Sequence, residues 1–351
     1  MNRTATSVET ATRNTSYDFI RVIAMALVLA IHTLNRAEHF AFSYNTTWYL
    51  VEIFSIIFMV CNPLFFMLSG KFTLNKKFGT AKDYLVFYLK KAVTIVLPFV
   101  LLSVVGYMAA VPVKHWGLFS FARKFLSADI NGVYWFMYVL ISIVLFSPFF
   151  AKMLQSMSLT DKRVFFWVLV ITNSVVSVLK IYETNLRFSY GLFGIITWHL
   201  FFFIGYFAEE IFPSEKQRNI IIIIGFLAFA VHLAVIRFIP KLPYSSCDPT
   251  PWTIAEALGV YFLLLRIRTN PKFNKIIGII AGLSFIFYLI HMDVLVKVSK
   301  LFPLGVSSPQ NALCAIGIYI VSFIITLAAA YVINTFIMRP LQKLILKIFR
   351  V

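Results

Sequence analysis

One stretch near the start of the chain sets an acid, a base and an imidazole at helical spacing. From residue 17 it reads YDFIRVIAMALVLAIHTLN. Asp18 and Arg21 are three residues apart, so on a helix they face each other across one turn. His32 follows Arg21 by eleven residues. At about 100° per residue that offset leaves roughly 20° between them, about 16 Å apart along the axis. Asp18, Arg21, Ala24, Val28 and His32 therefore form one stripe, with small or slim residues between its polar ends. An imidazole takes up a proton near neutral pH, which suits it to activating a hydroxyl. A guanidinium is built to hold an anionic oxygen group. The plainer readings are headgroup anchoring for Asp18 and Arg21, and a packed core histidine for His32.

The elements that must carry this stripe are membrane helices. Of 351 residues, 60% are hydrophobic, 13% charged and 17% aromatic, with 38 Phe. Mean hydropathy is +0.85. A water-soluble fold of this length cannot hide so much apolar surface in one core. The same figures exclude a disordered chain. The class is an all-α, polytopic membrane helical bundle. A crossing helix needs about 20 mostly apolar residues. That ruler marks ten segments: 18–36, 50–70, 92–111, 132–151, 164–180, 191–209, 219–238, 252–268, 276–296 and 312–337. No internal repeat or long linker divides them, so residues 1–351 read as a single membrane domain without an appended soluble one. The first segment has no small-residue cleavage site and reads as a mature helix.

Net charge is +18, from 32 Lys and Arg against 14 Asp and Glu. With ten spans, 22 of the 32 basic residues fall on the side of the N-terminus and 10 on the other. The positive-inside rule then predicts both termini in the cytoplasm. The basic excess reads as topology and lipid contact, and nucleic acid is not an expected partner. Cys61, Cys247 and Cys314 are too scattered for a disulfide framework or a zinc site, so no metal is expected. No nucleophile elbow or phosphate-binding glycine loop is present.

Other polar groups interrupt the apolar segments. Glu52 opens the second. Asn62 and Pro63 precede FFMLSG, which ends in Ser69 and Gly70. His199 lies in WHLFFFIGY, Glu256 in the eighth segment, and His232 toward the end of the seventh. Tyr288 and His291 close SFIFYLIH, with Asp293 two residues on. For each, an interhelical hydrogen bond is the plainer reading.

Six motifs in order resemble the acyltransferase-3 family of integral membrane acyltransferases. They are Asp18-x-x-Arg21 with His32, the Pro63–Gly70 segment, Trp135–Phe136 after Gly132, Phe201–Gly205, Ser284-x-x-x-Tyr288-x-x-His291, and Arg339–Leu341. They run over nearly the whole chain, which looks most like the short stand-alone members that O-acetylate a surface antigen such as enterobacterial common antigen. Two positions depart from the pattern. Lys71 follows Gly70 where the family carries an aromatic, and Lys90 and Lys91 precede AVTIVLP where many members carry an Arg pair.

The resemblance implies a multi-pass protein of the cell (inner) membrane. It implies acyl-CoA as cytoplasmic donor, with acetyl-CoA the commonest, and no resident cofactor. The acceptor it implies is a hydroxyl of a surface polysaccharide or lipid-linked glycan. His32 would activate that hydroxyl or transiently carry the acyl group, and Asp18 would orient Arg21. Arg21, Lys71, Lys90 and Lys91 are the expected donor contacts. His291, Tyr288, His199, Glu52 and Ser69 are the acceptor or relay candidates. The alternative is a transporter exporting a polysaccharide precursor or small acid, built from the same kinked helices and midplane polar groups. A non-catalytic scaffold would leave the Asp18–Arg21–His32 stripe without a purpose.

Overall fold

The computed structural model describes residues 15–38, 46–182, 197–239, 249–268, 270–302 and 309–351. Every element among them is helical. The order is α1 (Thr15–Glu38), α2 (Thr46–Met59), α3 (Cys61–Leu74), α4 (Ala81–Lys91), α5 (Leu97–Ala110), α6 (Leu118–Leu126), α7 (Trp135–Ser156) and α8 (Leu159–Tyr182). Then follow α9 (Thr197–Ile211), α10 (Glu215–Phe238), α11 (Pro251–Leu265), α12 (Pro271–Ala281), α13 (Ser284–Ser299), α14 (Pro309–Val332) and α15 (Arg339–Ile348). Polar caps start several of them where the chain leaves a loop. Thr80 and Asp83 form a reciprocal box at α4, and Ser214 and Gln217 do so at α10.

Seven helical runs are long and apolar enough to cross a membrane, or eight if the bent pair α12–α13 counts as one. The expected count of ten is not reached among the described residues. The sixth and eighth segments fall on α9 and α11, each 15 residues. At 1.5 Å per residue the described part of each is about 22 Å long, against a hydrocarbon core about 30 Å thick. Residues 191–196 of the sixth segment lie outside the described residues. The ninth segment is not straight: α12 and α13 meet at 61° around Gly282. The third starts at Ala81 rather than 92, because α4 runs into α5 through a π-helical stretch, Ala92–Val96.

That stretch has a local cause. Pro98 follows it by two residues, and a proline ring collides with the carbonyl four residues earlier in a regular helix. A wider turn relieves the collision. The same pairing recurs at Ile333–Met338 with Pro340.

The core is aromatic. Phe66, Phe99, Phe201, Phe202, Phe207, Phe262 and Phe287 are fully buried. Large apolar side chains also cover the outside, as with Ile223, Phe226 and Leu227 on α10. Helices apolar all round belong in lipid, where each satisfies its own backbone. A very close crossing joins α3 to α9. A Cβ on Gly70 would stand 1.7 Å from the carbonyl oxygen of Phe202, and one on Gly205 would stand 1.9 Å from that of Met67. Only glycine at both positions permits this approach. It brings the two ends of α3 and α9 into register, and both ends carry polar residues.

Candidate active site

The first of these ends holds the charged part of the α1 stripe. Asp18 is buried and accepts a bond from Arg21 Nη1 at 3.0 Å. The Arg21 guanidinium lies 5.7 Å from the ring of Phe72. Beside them Lys71 Nζ, at the end of α3, sits 2.9 Å from Glu209 Oε1, near the end of α9. Tyr17 donates to both oxygens of Glu209, at 2.7 and 3.0 Å, and Tyr261 donates to one at 3.0 Å. Four helices thus meet on one carboxylate. Glu209 was not among the residues marked from the sequence, where a carboxylate at the end of a Phe-rich run carries no recognisable spacing. Lys71, an expected donor contact, spends its charge on this partner.

A second cationic group lies on the α3–α4 side. The ammonium groups of Lys76 and Lys91 stand 5.3 and 5.6 Å from the ring centre of Phe87. Desolvation and the neighbouring Lys90 hold the Lys76 pKa below the ordinary lysine value. A bound anion relieves such crowding of like charges. Lys90 itself is exposed.

At the opposite end lies a cavity of about 330 Å³. Its wall draws Val28, Ile31, His32 and Asn35 from the far half of α1. Met59, Cys61 and Asn62 come from the junction of α2 and α3. Val133 comes from the turn just before α7, Trp135 and Phe136 from its first residues, Trp198 from the start of α9, and Tyr288 from α13. Val28 and His32 of the stripe therefore reach the cavity, while Asp18 and Arg21 stay at the charged end, about 16 Å away along α1.

His32 lies against a second histidine. The ring centroids of His32 and His291 are 5.3 Å apart, tilted by 37°. His291 is fully buried. Its Nδ1 is 2.5 Å from the carbonyl oxygen of Tyr288. A carbonyl only accepts, so Nδ1 carries the proton and Nε2 presents a lone pair. That Nε2 has no hydrogen-bond partner among the described residues. Two further bonds fix α13 against the start of α7. The Tyr288 hydroxyl donates to the Val133 carbonyl, and the Tyr134 hydroxyl donates to the Leu289 carbonyl at 3.0 Å. The pair has the parts needed to receive a proton from a hydroxyl in the cavity and to settle the charge on a second ring.

Of the remaining candidates, His199, Glu52 and Ser69 do not line the cavity. Each is partly buried: His199 beside Trp198 on α9, Glu52 on α2, and Ser69 on α3 next to the Gly70 crossing. His232 and Glu256, noted separately in the sequence, form a buried pair at 2.9 Å between α10 and α11. Asn35 and Trp198 are not marked by the sequence motifs; Asn35 lies one turn beyond His32 on α1, where helical spacing could have found it, whereas only the fold brings Trp198 to the cavity. Among the described residues no three His, Cys, Asp or Glu side chains gather as metal ligands.

Neither a curated protein nor a solved structure matches the chain. The profile of a family described as an acyltransferase domain, acyltransferase-3, does match, over residues 14–335. That span holds the paired charges of α1, His32 of the cavity with His291 beside it, and the glycine crossing between the two ends. This multi-pass membrane chain belongs to the acyltransferase-3 family.

Proposed function

We propose that this protein is a membrane O-acyltransferase of the cell (inner) membrane. It moves an acyl group, acetyl in the first instance, from cytoplasmic acyl-CoA to a hydroxyl of a surface or lipid-linked glycan. One observation carries the reading: His32, backed by His291, lines a cavity at the end of the bundle opposite Arg21 and the lysines. CoA is too polar to cross the membrane. Its phosphates rest at the cationic end, on Arg21, Lys76, Lys90 and Lys91, and the thioester reaches toward His32. Arg21 is oriented for this by Asp18. Both termini are cytoplasmic in this reading, which puts the basic excess on the donor side.

The chemistry balances without a cofactor. The acceptor oxygen attacks the thioester carbonyl carbon, so a C–O bond forms and the C–S bond breaks. His32 takes the hydroxyl proton and returns it to the departing CoA sulfur. The products are an O-acyl glycan and free CoA thiol. Histidine acting this way contributes roughly 10²–10⁴-fold to the rate.

The test uses the full chain in nanodiscs with radiolabelled acetyl-CoA and a glycan-lipid extract of the host membrane. Acceptor-dependent release of CoA thiol, with label appearing in the glycan fraction, supports the reading. Absence of acyl-CoA consumption across acetyl and longer donors overturns it, and is what an exporter would give.

A further inference from the structure

We infer that the cavity beside His32 seats a single uncharged sugar ring of the acceptor, held between tryptophan faces and asparagine amides. The inference rests on the acyltransferase reading above and names the substrate of the same site.

Four features of the wall point to this ligand. The first is its aromatic corner. The rings of Trp135 and Trp198 lie 5.0 Å apart at 39° to each other, and Phe66 stacks behind Trp198 at 5.3 Å. The C–H faces of a pyranose carry slight positive charge and rest on the electron-rich faces of indoles. The second is the pair of amides. Asn35 and Asn62 each offer two donors and an acceptor, which matches hydroxyls that both give and receive hydrogen bonds. A hydrocarbon acyl chain has no use for them.

The third feature is charge. Among the residues that line the cavity, none is Asp, Glu, Lys or Arg. A phosphate or a uronic acid would enter an apolar and amide-lined space with no counter-ion, at high cost. The fourth is size. About 330 Å³ lies at the lower end of small-molecule pockets, which suits one ring rather than a chain. His32 belongs to the same wall, so a ring seated there brings a hydroxyl to the base.

The experiment uses the full chain in nanodiscs and three probes: methyl glucoside, methyl galactoside and methyl glucuronide. Binding is read by tryptophan fluorescence, and transfer by labelled acetyl-CoA. At least one neutral glycoside should bind saturably, with the glucuronide about tenfold weaker or more. Trp198→Phe should weaken the neutral glycoside by about tenfold while the acetyl-CoA KM stays within about twofold. Asn62→Ser, which leaves the aromatic corner in place, should weaken it by about fivefold. An acetyl-CoA KM raised by Trp198→Phe, with glycoside binding unchanged, overturns the inference: the cavity then holds the donor arm. Acetyl-CoA consumption without binding of any probe also overturns it, while the transfer reading stands. Glycoside binding without acetyl-CoA consumption keeps the sugar seat and removes the transfer reading.

Discussion

Gly70 and Gly205 meet where α3 crosses α9, and neither has room for a methyl group. A Cβ at either position would press on a backbone carbonyl of the other helix, at 1.7 and 1.9 Å. Backbone cannot yield as a side-chain tip does. Gly70→Ala should therefore part the helices and destabilise the protein by about 1–3 kcal/mol or more. Because α3 and α9 carry Lys71 and Glu209 at one end and Asn62 and Trp198 at the other, both polar ends shift together. Thermal unfolding in detergent checks this. An unchanged midpoint for Gly70→Ala would refute the close crossing.

The two histidines divide their work by hydrogen bonding. Tyr288 fixes the proton of His291 on Nδ1 and leaves Nε2 toward its neighbours as an acceptor. His32→Ala should abolish transfer, by roughly 10²–10⁴-fold, while the protein still inserts and accumulates. His291→Ala should cost less, on the order of tenfold to a hundredfold, with the donor KM unchanged, since it acts on charge formed at His32. Transfer assays on membranes with matched protein levels measure both. Full activity of His32→Ala removes the imidazole from the mechanism.

Lys71 and Glu209 form a pair whose side chains are 21% and 22% exposed. Removing one charge strands the other among the hydroxyls of Tyr17 and Tyr261. Lys71→Ala should lower stability by about 1–3 kcal/mol. The double variant Lys71→Met with Glu209→Gln should recover most of that loss, because no charge is then left unmatched. A double variant no more stable than Lys71→Ala alone counts against the pair. Lys71 should also matter less to donor KM than Lys91 does.

Much of this arrangement is legible in the sequence, and the limits have physical causes. The stripe on α1 follows from helical period alone, and Val28 and His32 do share a wall. Apolar run length finds where helices lie but not how far each extends. Lys90 and Lys91 look like a membrane boundary, yet their long apolar stems allow the helix to continue past them. The bend at Gly282 leaves the apolar pattern unbroken on both sides, so a straight ninth span is the natural reading. Glu209 is invisible because its meaning depends on Lys71, Tyr17 and Tyr261, which come from three other helices. Trp198 becomes a site residue only through the packing of α9 on α3 and α7, whereas Asn35 was within reach of the helical period, one turn beyond His32.

Orientation is open to a direct test. With the ten spans read from the sequence, the basic asymmetry predicts the C-terminal helix α15, with Arg339, Lys343 and Lys347, on the cytoplasmic side. A fluorescent protein fused after Val351 should fold and fluoresce, while alkaline phosphatase fused there should stay inactive. The reverse pattern would place the donor end outside and separate it from cytoplasmic acyl-CoA.

The cationic end makes the last prediction. Arg21 has a bidentate fork, a carboxylate partner in Asp18 at 3.0 Å, and Phe72 beneath it. Lysine cannot reproduce the fork, so Arg21→Lys should retain part of the donor affinity and Arg21→Ala little of it. Lys76 and Lys91 act as point charges over Phe87. Lys91→Ala should raise the acetyl-CoA KM by about fivefold to tenfold, with kcat nearly unchanged, because it removes an attraction felt equally before and during the reaction. Partly buried charges are less screened than exposed ones, so added salt should raise the wild-type KM while narrowing the gap to Lys91→Ala only in part. Steady-state kinetics at two ionic strengths decide this. Wild-type KM values for both Arg21→Ala and Lys91→Ala would mean that the donor is held elsewhere.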